Sequence, residues 1–188
     1  NDFTINVPEK DIVLVLDVSN SMTDKIKGTG KTRLENMNDA VMKFLDIVKD
    51  TPNMKISIVA YSSDAFVNPT ELNGTTSIWK KSSSVDKTIL DYKCSSKTFF
   101  DVNSQIGELR NIVQTVVTNV GKIYYNDGYK YNGIDIEGGT STGEALRQAH
   151  RILDTTEVDS KNKSIILMTD GVASYYSSNK IGRASCRE

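Results

Sequence analysis

Apolar residues run without a break from Ile12 to Leu16 and stop at Asp17, the pattern of a central parallel strand buried on both faces. After a polar loop, Thr32 and Glu35 stand at the spacing of a capping box. Leu34, Met37, Val41, Phe44, Leu45 and Val48 then recur at helical spacing until Thr51-Pro52 closes the segment. Lys55 to Tyr61 reads as a second strand, and Ala65 to Val67 as an antiparallel edge strand beyond it. Ile106, Leu109, Ile112, Val113, Val116, Val117 and Val120 share one face of a helix from about Ser104 to Val120, with Gly121 as its C-terminal cap. Ser141 and Glu144 repeat the capping-box spacing ahead of Ala145, Leu146, Ala149, Ile152 and Leu153. Ser164 to Met168 predicts another buried strand, closed by Thr169-Asp170-Gly171.

The order strand, helix, strand, helix, helix, strand predicts a doubly wound α/β fold, a mostly parallel sheet with helices on both faces. The pieces around Thr75 to Phe100 and Lys122 to Ile136 are rich in Ser, Asn, Gly and Tyr and read as an elaborated surface loop or a small insertion. A length of 188 residues suits one domain. That domain is expected over 11–180, elaborated over about 68–136. Both ends look like cuts: the chain opens on Asn1 instead of Met, with no leader before the first strand. The segment Ile181-Gly-Arg-Ala-Ser-Cys-Arg-Glu188 back-translates to read-through of a sequencing adapter, so 181–188 are set aside as an artefact. Cys94 then stands as a lone cysteine, unable to make an intrachain disulfide or a cysteine metal site.

Composition narrows the function classes. With 38% hydrophobic residues, 25% charged residues and a formal net charge of -1, the chain reads as an ordinary globular protein. Lys and Arg are interspersed with Asp and Glu, so no basic stripe offers itself to nucleic acid. The apolar run Ile12 to Leu16 is far too short to span a bilayer.

Ligands of open parallel sheets bind beyond the carboxyl ends of the strands, where strand order reverses. Three polar clusters fall at such places: Asp17-Val-Ser19-Asn-Ser21, Gly138-Gly-Thr140-Ser-Thr142-Gly143 and Thr169-Asp170-Gly171. They offer carboxylates and hydroxyls with no His or Cys among them, a hard-oxygen set suited to Mg²⁺ or Mn²⁺. Ser141 and Thr142 read as caps instead of ligands.

In this order and register the residues closely resemble the von Willebrand factor type A family, whose metal-ion-dependent adhesion site is written D-x-S-x-S, then a distant T, then a distant D. The resemblance runs from about Asp11 to Ala173, and Leu16 to Met22 and Gly138 to Leu146 look like its bacterial branch. It implies a Rossmann-like sheet and a metal held by Asp17, Ser19, Ser21, Thr140 and Asp170, the hydroxyls coordinating and the acids acting directly or through water. It further implies a protein partner whose Asp or Glu completes the coordination, no catalysis, and an extracellular or cell-wall-anchored setting. The long interval before Thr140 resembles the inserted arms of Gram-positive surface and pilus-tip adhesins. The family's sheet order is 3-2-1-4-5-6, so a chain ending soon after Asp170 is expected to lack the half beyond the fourth strand.

Other readings compete. The same five residues serve intracellular assembly modules that partner an ATPase. Aspartate-nucleophile phosphatases also place Asp after a buried strand beside Mg²⁺, but position 19 is Ser where they need a second Asp. Gly28-Thr-Gly-Lys31-Thr32 imitates the tail of a phosphate-binding loop, yet Lys25 occupies the earlier glycine position. His150 has no metal-ligating neighbour in sequence and takes no catalytic role. Tyr124, Tyr125, Tyr129 and Tyr131 serve equally as packing residues or as contact surface.

Overall fold

The computed structural model describes residues 7–80, 85–171 and 173–174. The octapeptide 181–188 lies outside the described residues. In chain order the elements are β1 (Lys10–Asp17), α1 (Arg33–Val48), β2 (Met54–Tyr61), β3 (Ala65–Val67), β4 (Pro69–Lys80), β5 (Val85–Cys94), β6 (Phe100–Asp101), α2 (Ile106–Val120), β7 (Lys130–Tyr131), β8 (Ile134–Asp135), α3 (Thr142–Asp154) and β9 (Lys163–Met168). The main sheet runs β3-β2-β1-β9, with β6 also against β2. β1 is parallel to β2 and to β9, in a register that sets Asp17 opposite Tyr61 and Leu16 opposite Met168. β3 and β6 pair antiparallel with opposite halves of β2. The chain is therefore α/β, with a mostly parallel sheet and helices on both faces, in the order expected for its first four strands.

The side-chain period of a strand divides this core in two. Leu14, Leu16, Ile56, Ile58 and Ala60 face a large cluster with Leu34, Met37, Val41 and Leu45 of α1 and Leu109, Ile112, Val113 and Val116 of α2. Val13, Val15, Val59 and Tyr61 face a smaller cluster with Ala145, Ala149, Ile152 and Leu153 of α3. β1 is covered on both sides, as its unbroken apolar run requires. α1 starts on a complete capping box: the Glu35 N–H donates to the Thr32 hydroxyl at 3.1 Å, and the Thr32 N–H to Glu35 Oε2 at 2.7 Å.

Several local expectations are corrected. β9 is not buried on both faces: Ile166 and Met168 pack on the large cluster, whereas Ile165 and Leu167 are each 38% exposed. Among the described residues β9 pairs only with β1, so its apolar run has one covered face. Gly121 does not end α2 in a left-handed cap; with φ −59° and ψ −41° it carries the chain into a π-helical turn, Gly121–Asn126. That continuation buries Ile123 and Tyr124, which gives it an apolar motive. Ser141 makes no side-chain cap. Its N–H donates to the Ser62 carbonyl at 2.7 Å, while Glu144 is buried and bonded to Gln148 at 2.8 Å and to Arg147. The stretch expected as loop or insertion from Thr75 to Phe100 forms most of a long antiparallel hairpin, β4 with β5. Ile89, Leu90 and Tyr92 of that hairpin enter the large cluster, Tyr92 meeting Phe66 edge-on at 5.3 Å. Cys94 is disulfide-bonded, which corrects its reading as a lone cysteine.

Asn68 ties the hairpin to the sheet. It is wholly buried with φ +47°, a left-handed conformation that Asn tolerates better than most residues. Its side-chain carbonyl accepts from the Ile58 N–H at 2.7 Å, and its amide donates to the carbonyls of Lys97 at 2.9 Å and Thr98 at 2.8 Å. Asn68→Ala strands those buried groups and strains the backbone, so urea denaturation should show a loss of about 2–4 kcal/mol in unfolding free energy.

Candidate metal-binding site

Asp17 closes β1 at the carboxyl end of the sheet, and its carboxylate then shapes the next turn. The Ser19 N–H donates to Asp17 Oδ1 at 2.9 Å, an Asx-type turn that bends the chain off the strand. A 3₁₀ turn, Asn20–Thr23, follows. The Ser19 and Ser21 hydroxyls come to 3.2 Å of each other, and Ser21 Oγ donates to Asp170 Oδ1 at 3.1 Å. Asp170 arrives just beyond β9, the parallel neighbour of β1. Parallel pairing thus makes neighbours of residues 149 positions apart in sequence.

Thr140 reaches this end of the sheet through its loop. The Asn20 N–H donates to the Gly138 carbonyl at 2.9 Å, and the Gly139 N–H to Ser63 Oγ at 2.8 Å. Thr140 and Ser174 hold each other, the Thr140 N–H to Ser174 Oγ at 2.8 Å and the Ser174 N–H to the Thr140 carbonyl at 3.0 Å. Among the described residues the Thr140 hydroxyl makes no hydrogen bond to the other four candidates. The structure therefore joins Asp17, Ser19, Ser21 and Asp170 through hydrogen bonds, and it ties the loop that carries Thr140 to the Asn20 turn through the Gly138 carbonyl.

Four further residues shape the site. Thr169 Oγ1 donates to Asp17 Oδ2 at 2.7 Å, and the Tyr61 hydroxyl lies 3.4 Å from the same oxygen. Thr142 Oγ1 is 3.3 Å from the Tyr61 hydroxyl, so Thr142 braces the site through Tyr61 as well as opening α3. Burial pushes the Tyr61 phenol above its ordinary value, against the opposing hydrogen bonds of Thr142 and Thr169. Arg33 is the fourth: its Nη1 reaches Asp170 Oδ2 at 2.8 Å, the Ser21 carbonyl at 3.0 Å and Asp24 Oδ2 at 3.2 Å. Sequence reading missed Arg33, though a cation in the first turn of a helix opposes the macrodipole and is a signal that something else holds it there.

The electrostatics test whether a dication fits. Asp17 is 0% exposed and its partners are the Ser19 amide and the Thr169 and Tyr61 hydroxyls, all uncharged. A carboxylate buried against neutral dipoles alone is costly, and a cation beside it offsets that cost. Ser19 is also wholly buried and Thr140 is buried, so their hydroxyls can replace water around a hard ion. Among the described residues no three His, Cys, Asp or Glu side chains gather as a metal cluster, here or elsewhere, so hydroxyls have to supply the remaining donors. The donor set fits Mg²⁺ or Mn²⁺, with two carboxylates and the rest hydroxyl or water.

Neither rejected motif enters the site. Lys31 pairs with Asp39 at 2.6 Å, both half-exposed, and His150 pairs with Asp154 at 2.9 Å on the outer face of α3. Tyr124 is buried beneath the Gly138 loop, its hydroxyl donating to the Glu137 carbonyl at 3.1 Å, whereas Tyr125 and Tyr129 are exposed.

Residues 12–84 match the family model described as the von Willebrand factor type A domain. Among solved structures the chain is similar to the adhesive tip pilin GBS104 from Group B Streptococcus agalactiae, with 23% identity and a TM-score of 0.52 over 87% of this chain and 45% of that one. It is similar to the pilus adhesin RrgA from Streptococcus pneumoniae, with 19% identity and a TM-score of 0.56 over 92% of this chain and 21% of that one. It is also similar to the PilB minor pilin from Streptococcus sanguinis, with 16% identity and a TM-score of 0.54 over 89% of this chain and 31% of that one. The chain spans less than half the length of each of these proteins. At such identities the likeness is one of fold. Among curated proteins no sequence matches significantly.

Gly138 is where the Thr140 loop meets the Asn20 turn. A Cβ there would stand 2.9 Å from Tyr124 Cζ, 3.0 Å from Asn20 Cβ and 3.1 Å from the Asn20 backbone nitrogen. Gly138→Ala should therefore push the two loops apart and lower the unfolding free energy by about 1–3 kcal/mol, measurable by urea denaturation.

Proposed function

We propose that this chain, whose fold is that of the von Willebrand factor type A family, is a divalent-cation-dependent protein-binding and adhesion module. The observation that carries the reading is Asp17: a wholly buried carboxylate whose partners among the described residues are all uncharged, at the strand ends, beside paired serine hydroxyls and a second acid. Ser19, Ser21 and Thr140 would hold Mg²⁺ or Mn²⁺ through their hydroxyls, with Asp17 and Asp170 acting directly or through water. The ion would supply a partly dehydrated positive charge, to which an Asp or Glu from a protein partner binds as the completing ligand. Around it, the Asn20 turn and the Gly138 loop, with the exposed Tyr125 and Tyr129, would form the rim that selects the partner.

The fold likeness to pilus adhesins and a minor pilin favours a surface or pilus setting, as in Gram-positive bacteria, over an intracellular assembly module working with an ATPase. No helix among the described residues is long and apolar enough to cross a membrane. Phosphoryl transfer fits less well. Enzymes that use a nucleophilic aspartate beside Mg²⁺ need a second Asp as acid/base two positions on, where this chain has Ser19.

Titration calorimetry should show one Mg²⁺ site per chain, and Asp17→Ala and Asp170→Ala should each weaken it by more than about a hundredfold. Full affinity in both variants would place the ion elsewhere. Against p-nitrophenyl phosphate in Mg²⁺ the protein should show no turnover; activity that disappears in Asp17→Asn would replace the binding reading with a phosphatase.

A further inference from the structure

Arg33 brings a positive charge to one of the two acids on which the metal reading relies. It occupies the first position of α1, fixed there by the Thr32–Glu35 capping box. From that point its guanidinium grips Asp170, the Ser21 carbonyl and Asp24 at once. Asp170 is thereby occupied on both oxygens: Oδ1 accepts from Ser21 and Oδ2 from Arg33, with the Asp170 side chain only 11% exposed. The Arg33 side chain is 39% exposed and lines a cleft of about 410 Å³ together with Asp170, Met22 and Leu167, so it has room to withdraw.

We propose that Arg33 is a built-in counter-cation for the site, a conclusion that rests on the metal reading above. Without a dication it neutralises Asp170 and pins the Ser21 turn to the end of β9, keeping the donors assembled. With a dication it is a competing positive charge on the same carboxylate, so it sets the affinity lower than the donors alone would give. Among the described residues Asp17 has no such cation, and the asymmetry assigns the two acids different duties. Asp17 is the standing negative charge of the site, and Asp170 is the one shared between an internal cation and an external one.

The test uses Arg33→Gln, which removes the charge and keeps an amide donor, and Arg33→Lys, which keeps the charge. Each is melted in chelator and in saturating Mg²⁺, and each is titrated with Mg²⁺ by calorimetry. Arg33→Gln should melt about 5 °C below the wild type in chelator, recover most of that difference in Mg²⁺, and bind Mg²⁺ about tenfold more tightly. Arg33→Lys should stay within about threefold of the wild-type affinity. An Arg33→Gln chain that is unfolded in chelator and folded in Mg²⁺ is the same result in stronger form. Mg²⁺ affinity in Arg33→Gln equal to or weaker than wild type, an unchanged melt in chelator, or a chain unfolded in both conditions would overturn the proposal. If the wild type itself takes up no Mg²⁺, the metal reading fails, and this inference with it.

Discussion

A carboxylate placed out of contact with water at the end of a central strand is the constraint around which this molecule is arranged. Asp17 lies where β1 leaves the sheet, and the residues that stabilise it come from several elements at once: Ser19 from its own turn, Tyr61 from the end of β2 and Thr169 from just beyond β9. That convergence depends on β1 lying parallel to both neighbours, because only then do the three strands deliver their last residues to the same side. An antiparallel neighbour would bring the start of its strand instead. The sheet topology and the site are therefore one fact seen at two scales.

Burial on both faces of β1 is what makes the position stringent. The large cluster presses on Leu14 and Leu16 and the small one on Val13 and Val15, leaving no slack for the strand to slide. A one-residue slip would turn Asp17 toward the opposite core, an unacceptable place for an unpaired charge. The same packing explains why the Asn20 turn is tight. Its backbone touches the Gly138 loop closely enough that even a methyl group there would collide, and Tyr124 fills the space below.

The parts legible from sequence were those in which one physical rule acts alone. β1, β2, α1 and α2 declare themselves by apolar period, and the acids at strand ends follow from the rule that parallel sheets present their carboxyl ends to ligands. The illegible parts were those in which rules compete. The β4–β5 hairpin was hidden because it is half-buried against α2 and carries Ser, Asn and Gly where a plain strand would be β-branched. Glu144 has the spacing of a cap, yet a buried Gln148 and Arg147 offered it better partners. Gly121 could have ended α2, but Ile123 and Tyr124 still had apolar surface to reach. β9 reads as buried from composition because a run such as Ile-Ile-Leu-Met does not reveal whether anything covers its second face. Arg33 was invisible as a site residue because its partner, Asp170, is 137 positions away.

The two acids also connect the site to different layers of the fold. Asp17 reaches Tyr61, which belongs to the small cluster under α3, and through it Thr142 in the first turn of α3. Asp170 reaches Arg33, the first residue of α1, whose helix packs on the large cluster. The serine pair is the bridge between them, since Ser19 is fixed by Asp17 and Ser21 by Asp170. Any charge that draws the two carboxylates toward a common point must act on both helix N-termini together. On the proposed reading, occupancy of the site is thereby coupled mechanically to the placement of α1 and α3, and the path is short: a hydroxyl pair, then Asp170 and Arg33 on the α1 side and Asp17, Tyr61 and Thr142 on the α3 side. A site assembled from one loop would lack that property, because its donors could close on an ion without moving anything else.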